Sequence, residues 1–280
     1  MKYRLNVSGR LLELSTPVVM GIVNLTPDSF HLASRVSEQE AILDLVGRHL
    51  REGVAILDLG AQSTRPGADL LDAETEWSRL SPGLELIRGN FPDAFLSIDT
   101  FYASVAERAV AKGADIINDV SGGQLDAAMF STIGRLKVPY VLMHMQGTPK
   151  SMQRSPEYRD VTAEVIRHLA EGIDRLRQSG VPDVIVDPGF GFGKDLSHNY
   201  TLLRNLDAFR VLDAPLLVGL SRKSMVNKVL GTTAEQALNG TTVLNTLALT
   251  GGAKILRVHD VREAVEAIRL FERYCSPAGA

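Results

Sequence analysis

Along most of the chain, short apolar runs alternate with longer stretches whose apolar residues return at helical spacing. Eight runs stand out: Val18–Asn24, Ala55–Gly60, Phe95–Asp99, Asp115–Asp119, Pro139–His144, Val184–Asp187, Pro215–Gly219 and Lys254–His259. They are rich in Val, Ile and Leu and hardly alternate with polar residues, the pattern of strands buried on both faces of a parallel sheet. Between them, Ala41, Ile42, Leu45, Val46 and Leu50, and later Val261, Ala264, Val265, Ile268 and Phe271, predict amphipathic helices. Gly53, Gly113, Gly180 and Gly251-Gly252 stand just before the next runs, where glycine suits the left-handed residue that stops a helix. Ahead of the first run, residues 3–14 read as a short hairpin turning at Ser8-Gly9.

Eight β-α units in about 250 residues predict an α/β fold, a (β/α)8 TIM barrel with the N-terminal β-hairpin as a plug or cap. The rival, an open doubly wound sheet, usually carries a glycine-rich turn after its first strand. Here that turn is Thr26-Pro27-Asp28-Ser29-Phe30, which favours the barrel. No linker or shift in composition divides the chain, so one domain is expected over residues 1–280. The 280 residues are 45% hydrophobic and 22% charged with a formal net charge of −3, an ordinary soluble profile. The absence of basic blocks speaks against a nucleic-acid partner held through phosphates. No run approaches the roughly 18 apolar residues of a membrane span, and the first residues lack an apolar signal stretch. The expected compartment is the cytoplasm, with no membrane partner. The lone Cys275 excludes a disulfide framework and a cysteine-based zinc site, and the six histidines form no His-x-x-x-His pair.

Enzyme chemistry in such a barrel sits at the C-terminal ends of the strands. In order, those ends supply Asn24, Gln62-Ser63-Thr64-Arg65, Asp99, Asn118-Asp119, His144, Asp187, Ser221-Arg222-Lys223, Arg257 and His259. The opposite rim, fed by Gly53-Val54, Gly113-Ala114 and Val138-Pro139, is blander. One polar pocket at the barrel mouth is therefore expected. Its acids and amides suit a flat heterocycle with donor edges, and its cations suit a phosphorylated tail. Plainer readings stand beside these. Asp99, Asn118 and Asp187 also suit helix caps, Pro27 and Pro66 suit ordinary turns, and Met143 suits core packing.

Segments in every part of the barrel carry a more specific pattern. They are Met20-Gly-Ile-Val-Asn-Leu-Thr-Pro-Asp-Ser-Phe30, Ser63-Thr-Arg-Pro-Gly67, Ser97-Ile-Asp-Thr100, Ile117-Asn-Asp-Val-Ser-Gly-Gly123 and Met143-His144, followed by Asp187-Pro-Gly-Phe-Gly-Phe-Gly-Lys194, Ser221-Arg-Lys-Ser224 and Arg257-Val-His-Asp260. Over essentially its whole length the chain resembles the dihydropteroate synthases of the pterin-binding enzyme family. That resemblance implies condensation of a dihydropterin methyl diphosphate with 4-aminobenzoate, giving dihydropteroate and diphosphate in tetrahydrofolate biosynthesis. It also implies sulfonamides as inhibitors and a homodimer formed through outer helices.

The resemblance assigns roles by position. Asp187 and Asn118 would pair with the guanidine-like edge of the pterin, and Lys223 would hydrogen-bond its ring, with Ser221 near the aminobenzoate. Asp99 would contact the pterin and stabilise positive charge on its methylene if diphosphate leaves first. Arg257 would stack on the pterin face, with both Arg257 and His259 near the diphosphate. Asn24 would complete the anion site and bind magnesium (Mg2+), which prefers oxygen ligands and keeps several waters. Thr64, Arg65 and Pro66 would belong to one mobile loop, and Asp28 and Phe30 to another. Together with Phe192 and Lys223 they would build the aminobenzoate site, and Asp28, Arg65, Asp99 and Lys223 would act in catalysis. Met143 is either a pterin wall or core. Two departures from the family pattern matter: Gly60-Ala61-Gln62 replaces the usual Gly-Gly-Glu, and His31-Leu32-Ala33-Ser34 replaces a frequent Ser-Asp-Gly-Gly. They bear on loop dynamics and inhibitor response and leave open a non-catalytic pterin-binding barrel. A corrinoid-linked methyltransferase is a separate alternative, against which Ser63-Thr-Arg-Pro-Gly67 and Ser221-Arg-Lys-Ser224 favour the synthase.

Overall fold

In the computed structural model, which describes residues 3–7, 9–25, 35–62, 70–148, 152 and 156–276, every apolar run becomes a strand. After the hairpin strands β1 (Tyr3–Val7) and β2 (Arg10–Leu14) come β3 (Val18–Asn24), β4 (Ile56–Gly60), β5 (Phe95–Asp99), β6 (Ile116–Asp119), β7 (Tyr140–Met143), β8 (Val184–Asp187), β9 (Leu217–Val218) and β10 (Ile255–Val258). Between and after them lie α1 (Arg35–Glu52), α2 (Ala73–Asn90), α3 (Ala103–Ala111), α4 (Met129–Leu136), α5 (Val161–Gln178), α6 (Leu196–Arg204), α7 (Ser224–Leu230), α8 (Leu238–Thr250) and α9 (Val261–Cys275). The eight strands β3 to β10 pair in parallel in the order β8-β7-β6-β5-β4-β3-β10-β9. A parallel bridge between Val186 and Leu216 joins the two ends, supported by the Val186 N–H donating to the Pro215 carbonyl at 3.0 Å. The expected (β/α)8 barrel is therefore closed.

Local chemistry explains the element ends. Gly53, Gly113, Gly180 and Gly252 adopt φ of +96°, +94°, +79° and +104°, the left-handed region in which they were expected to stop helices. Asp72 caps α2 by accepting from the Thr75 N–H at 2.7 Å, and Asp160 caps α5 through Thr162 and Ala163.

Strand residues alternate between two apolar layers. Val19, Leu57, Leu96, Ile117, Leu142, Val186, Val218 and Leu256 face the helices, in one cluster with residues such as Val46, Leu84 and Leu169. Met20, Ile56, Ile116, Val141, Ile185, Leu217 and Ile255 face the barrel interior, where they pack with Leu5, Val7, Leu12 and Leu14 of the hairpin. The hairpin is thus a plug, and it fills the end from which the strands start. Arg10 fixes it there by donating to the Asp93 carbonyl at 2.6 Å and pairing with Asp115 at 3.1 Å, with its guanidinium over the Phe95 ring. A plugged lower end leaves the strand C-termini as the open mouth.

Candidate active site

Two residues above the plugged layer the inward positions are Ile22, Asp58, Ser97, Asn118, Met143, Asp187, Gly219 and Arg257, so most of the strands turn polar there. Register places Asn24 beside Gly60, Gly60 beside Asp99, and Asp99 beside Asn118, one row across four adjacent strands. In a parallel sheet, residues in register share a face.

Arg257 organises this arc. Its Nε donates to Asp58 Oδ2 at 2.7 Å and its Nη2 to Asp99 Oδ2 at 2.7 Å. Asn118 Nδ2 donates to the same Asp58 oxygen at 3.0 Å, and Asp58 is wholly buried. Burial opposes the charged form of Arg257, yet Asp58 and Asp99 outweigh it, so the guanidinium is held even more firmly charged than usual. Asp99 moves the other way. Burial raises its pKa to about 7 against the pull of Arg257, and Asp58 and Glu76 add to the rise. One guanidinium serves two carboxylates, so Arg257 offsets the burial of Asp99 only in part.

The facing arc comes from the turn after β8 and the turn after β9. Asp187 Oδ1 accepts from the Gly189 N–H at 2.7 Å, and burial raises the pKa of Asp187 although Lys223 opposes it. Gly189 has φ +70°, and a Cβ there would lie 1.9 Å from the His144 carbonyl oxygen, so no larger residue fits without rebuilding the turn. Lys223 donates to the Phe190 carbonyl and lies 4.7 Å from the centre of the Phe192 ring. Burial lowers its pKa to about 8, with Asp187 opposing. Beneath this turn, Lys194 is 2% exposed. Its ammonium donates to the Gly189 and Phe192 carbonyls at 2.9 and 3.0 Å and meets His144 Nδ1 at 2.9 Å. Burial drives the pKa of His144 strongly down, so its ring is neutral.

Other named residues divide between this mouth and its supports. His259, one residue past β10 and exposed, meets Ser221 Oγ through Nδ1 at 2.9 Å. Arg222 clips the turn by pairing with Asp260 at 2.7 and 3.0 Å. Asp119 accepts from Tyr140, Ser121 and Gly123, which makes it a loop brace. Asp99 does not cap α3; the Ala103 N–H there donates to Asp126 at 2.8 Å. Met143 is buried in a small cluster with Phe101, Val120, Met145 and Met152, against which Phe192 packs. Asn24 is exposed at the end of β3. Asp28, Phe30, Thr64, Arg65 and Pro66 lie outside the described residues.

A family model described as pterin binding enzyme matches residues 20–259. Dihydropteroate synthase of Escherichia coli strain K12 is 43% identical over 96% of this chain and 95% of its own length. The chain belongs to the dihydropteroate synthases. Among solved members of that family, a Yersinia pestis dihydropteroate synthase in complex with a sulfonamide drug shares 39% identity and superposes with a TM-score of 0.91 over 98% of this chain and 99% of its own. A Xanthomonas albilineans dihydropteroate synthase with 4-aminobenzoic acid also shares 39% identity, with a TM-score of 0.90 over 99% of both chains. Membership makes the chain a pterin-binding transferase of folate biosynthesis.

The donor chemistry at this synthase mouth is compatible with the magnesium expected there. The Asn24 amide oxygen is a hard donor. Among the described residues no group of three or more His, Cys, Asp or Glu could hold a metal by itself. An ion at Asn24 would take its other ligands from substrate oxygens and water, the habit of Mg2+.

Three buried polar residues escaped the sequence reading of roles: Asp58, Glu76 and Lys194. Asp58 carried a signal, since an acid at an inward position of the run Ile56-Leu-Asp-Leu-Gly60 needs a charged partner. Glu76 is fully buried in the first turn of α2, where Gln62 Nε2 donates to its Oε2 at 2.8 Å. Burial raises its pKa to about 7 from an ordinary 4.5, although bonds from Thr100 and Gln62 pull it down. Between about pH 4.5 and 7 the folded chain therefore keeps a proton that the unfolded chain releases, and stability falls as pH rises through that window. Glu76→Gln should flatten this part of the curve, with Asp99 still contributing, and should stabilise the protein relative to the unaltered chain at pH 8. Denaturation midpoints at pH 5 and pH 8 read the effect; an unchanged difference between the two would contradict it.

Proposed function

We propose that this chain joins a dihydropterin methyl diphosphate to 4-aminobenzoate by using the two arcs of its mouth on the two ends of the pterin. The bond from the pterin methylene carbon to the diphosphate oxygen breaks, and its electron pair leaves with diphosphate. The aminobenzoate nitrogen forms the new C–N bond and loses a proton to solvent. The convergence of Asp58 and Asp99 on Arg257, with Asn118 joined to them through Asp58, facing Asp187 and Lys223, carries this reading.

Asp187 and Asn118 accept and donate along the heterocycle edge, where a carboxylate can take two parallel N–H bonds from a guanidine-like group. Lys223 holds the ring from the other side as a donor. Asp99 opposes the positive charge that develops on the methylene. A fixed carboxylate does this well in a site from which water is excluded. Arg257 keeps Asp99 in place and offers its flat face to the pterin, and His259 with Ser221 lies on the diphosphate side. Asn24 would hold Mg2+, which when bound neutralises charge on the departing diphosphate. Phe192 and Lys223 would meet the aminobenzoate, the end at which sulfonamides would also compete; the family resemblance assigns Thr64, Arg65, Pro66, Asp28 and Phe30, outside the described residues, to the same substrate. Nothing in this scheme passes through a covalent enzyme intermediate. No helix among the described residues is long and apolar enough to cross a membrane, in keeping with work in the cytoplasm.

The functional form is a homodimer. Exposed Val229 and Leu230 on α7, Val243 and Leu247 on α8, and Leu270 and Tyr274 on α9 put an apolar surface on three consecutive helices. Large apolar patches of this kind mark association sites.

Diphosphate release, followed with Mg2+ and with or without 4-aminobenzoate, tests the chemistry. Asp99→Asn and Lys223→Ala should each slow turnover by about 100-fold or more while the far-UV spectrum is retained. Rates like those of the unaltered chain in both variants would refute the assignment. Sedimentation tests the assembly: the unaltered chain should run as a dimer and Leu247→Asp as a monomer, and a monomer in both cases would remove the proposed interface.

A further inference from the structure

Arg222 stands between Ser221 and Lys223 in the turn after β9 and has no part in the proposed reaction. Its φ is +56°, a left-handed value that strains a residue with a side chain, so its surroundings must hold it there. They do so at every nitrogen. Nε and Nη2 donate to the two oxygens of Asp260 at 3.0 and 2.7 Å, and Nη1 donates to the Ala234 and Glu235 carbonyls at 3.1 and 3.4 Å. The backbone N–H donates to Thr241 Oγ1 at 3.0 Å. Asp260 occupies the N-cap position of α9 but makes no side-chain capping bond there, so its carboxylate is given over to the guanidinium. We propose that Arg222 is a positioning residue for the reaction: its clamp on Asp260 and on the chain between α7 and α8 sets the place of Lys223 in the heterocycle site.

The barrel itself does little to fix this turn. β9 pairs with β10 only at Leu217 and Val218, and the other side closes through the single bridge at Leu216. Strand pairing therefore stops at Val218, well short of Lys223. Beyond it, side chains take over. Ser221 Oγ meets His259 Nδ1 at 2.9 Å and Arg222 holds Asp260, so two successive residues of the turn are fastened to two successive residues past β10. Lys223 comes next. It is the N-cap of α7, donates to the Phe190 carbonyl and lies over the Phe192 ring. A lysine ammonium is a point charge on a flexible stem, so its aim at the ring site depends on a fixed backbone. Arg222 supplies that fixity without touching substrate. Its fork is filled by one carboxylate, the geometry of the strong bidentate pair, and its third nitrogen is taken by two carbonyls.

This inference rests on the placing of Lys223 against the pterin ring, and a double-mutant cycle separates the two. Calorimetric dissociation constants for 6-hydroxymethylpterin, the ring system without the diphosphate that His259 faces, are measured for the unaltered chain, Arg222→Met, Lys223→Ala and the double variant. Arg222→Met removes the clamp and should weaken binding about tenfold, the scale of a lost charged hydrogen-bonding pair. Lys223→Ala should weaken it at least as much. In the Lys223→Ala background, Arg222→Met should change the constant by no more than about twofold, because its effect runs through that lysine. If Arg222→Met weakens binding equally with and without Lys223, Arg222 acts on the ligand directly or only on the fold, and the inference is overturned. It is overturned as well if Lys223→Ala weakens binding and Arg222→Met does not. Unchanged binding in Lys223→Ala removes the placing of the lysine itself, and the positioning residue with it. Should Arg222→Met not fold, Arg222→Gly takes its place in the cycle, since glycine adopts a φ of +56° without strain yet lacks the clamp. Full affinity in that variant would likewise overturn the inference.

Discussion

Arg257 sits where the apolar plug of the barrel gives way to its polar mouth, and its guanidinium is shared between two carboxylates, Asp58 below and Asp99 above. A buried acid without a partner is expensive, and so is a buried guanidinium. Neither Asp58 nor Arg257 is tolerable at its depth without the other, so the two strands that carry them, β4 and β10, are fixed relative to each other across the intervening β3. Asn118 is drawn in through the same Asp58 oxygen. The arrangement leaves Asp99 under-compensated, with a pKa near 7. A carboxyl group in that state gains most from a ligand that brings hydrogen-bond donors or positive charge. In the proposed reaction a pterin losing diphosphate would bring positive charge to that carboxyl group.

The rest of the architecture serves that constraint. Leu5, Val7, Leu12 and Leu14 of the hairpin close the lower end and keep water away from the floor of the site. Low polarity beneath the mouth strengthens every charge interaction within it. On the facing arc, Lys194 and Lys223 draw in the carbonyls of Gly189, Phe190 and Phe192. That turn presents Asp187 and the Phe192 ring together. Tight approach of the turn to His144 demands Gly189, so backbone geometry and charge placement are settled by the same few residues.

The fold was legible in the sequence because its signal is repeated. Each strand had to be apolar on both faces, and each helix had to stop before the next strand, so Val18–Asn24 and Phe95–Asp99 could be read residue for residue. β9 is the contrast. A run of five, Pro215–Gly219, yields a strand of only Leu217–Val218, because proline opens the run and the barrel closes there through a single bridge. At the site, Asp99, Asn118, Asp187 and Arg257 were visible because polar residues at strand ends point into the mouth. Asp58 showed only that it needs a charged partner, not which one, and Glu76 was not visible. Their partners, Arg257 and Gln62, lie 199 and 14 positions away, and no local pattern links a strand acid or a helix acid to such distant groups. Gln62 drew notice as a departure from a family pattern, but only its bonds to Leu71 and Glu76 show what it holds.

The central claim is that Asp99 and Arg257 act on the pterin as one unit. A double-mutant cycle on pterin affinity tests it most directly, using calorimetric dissociation constants for the unaltered chain, Asp99→Asn, Arg257→Met and the double variant. The account predicts that the double variant binds only about as weakly as the worse single variant, because the first substitution already dismantles the unit. Losses that multiply as independent factors would contradict it.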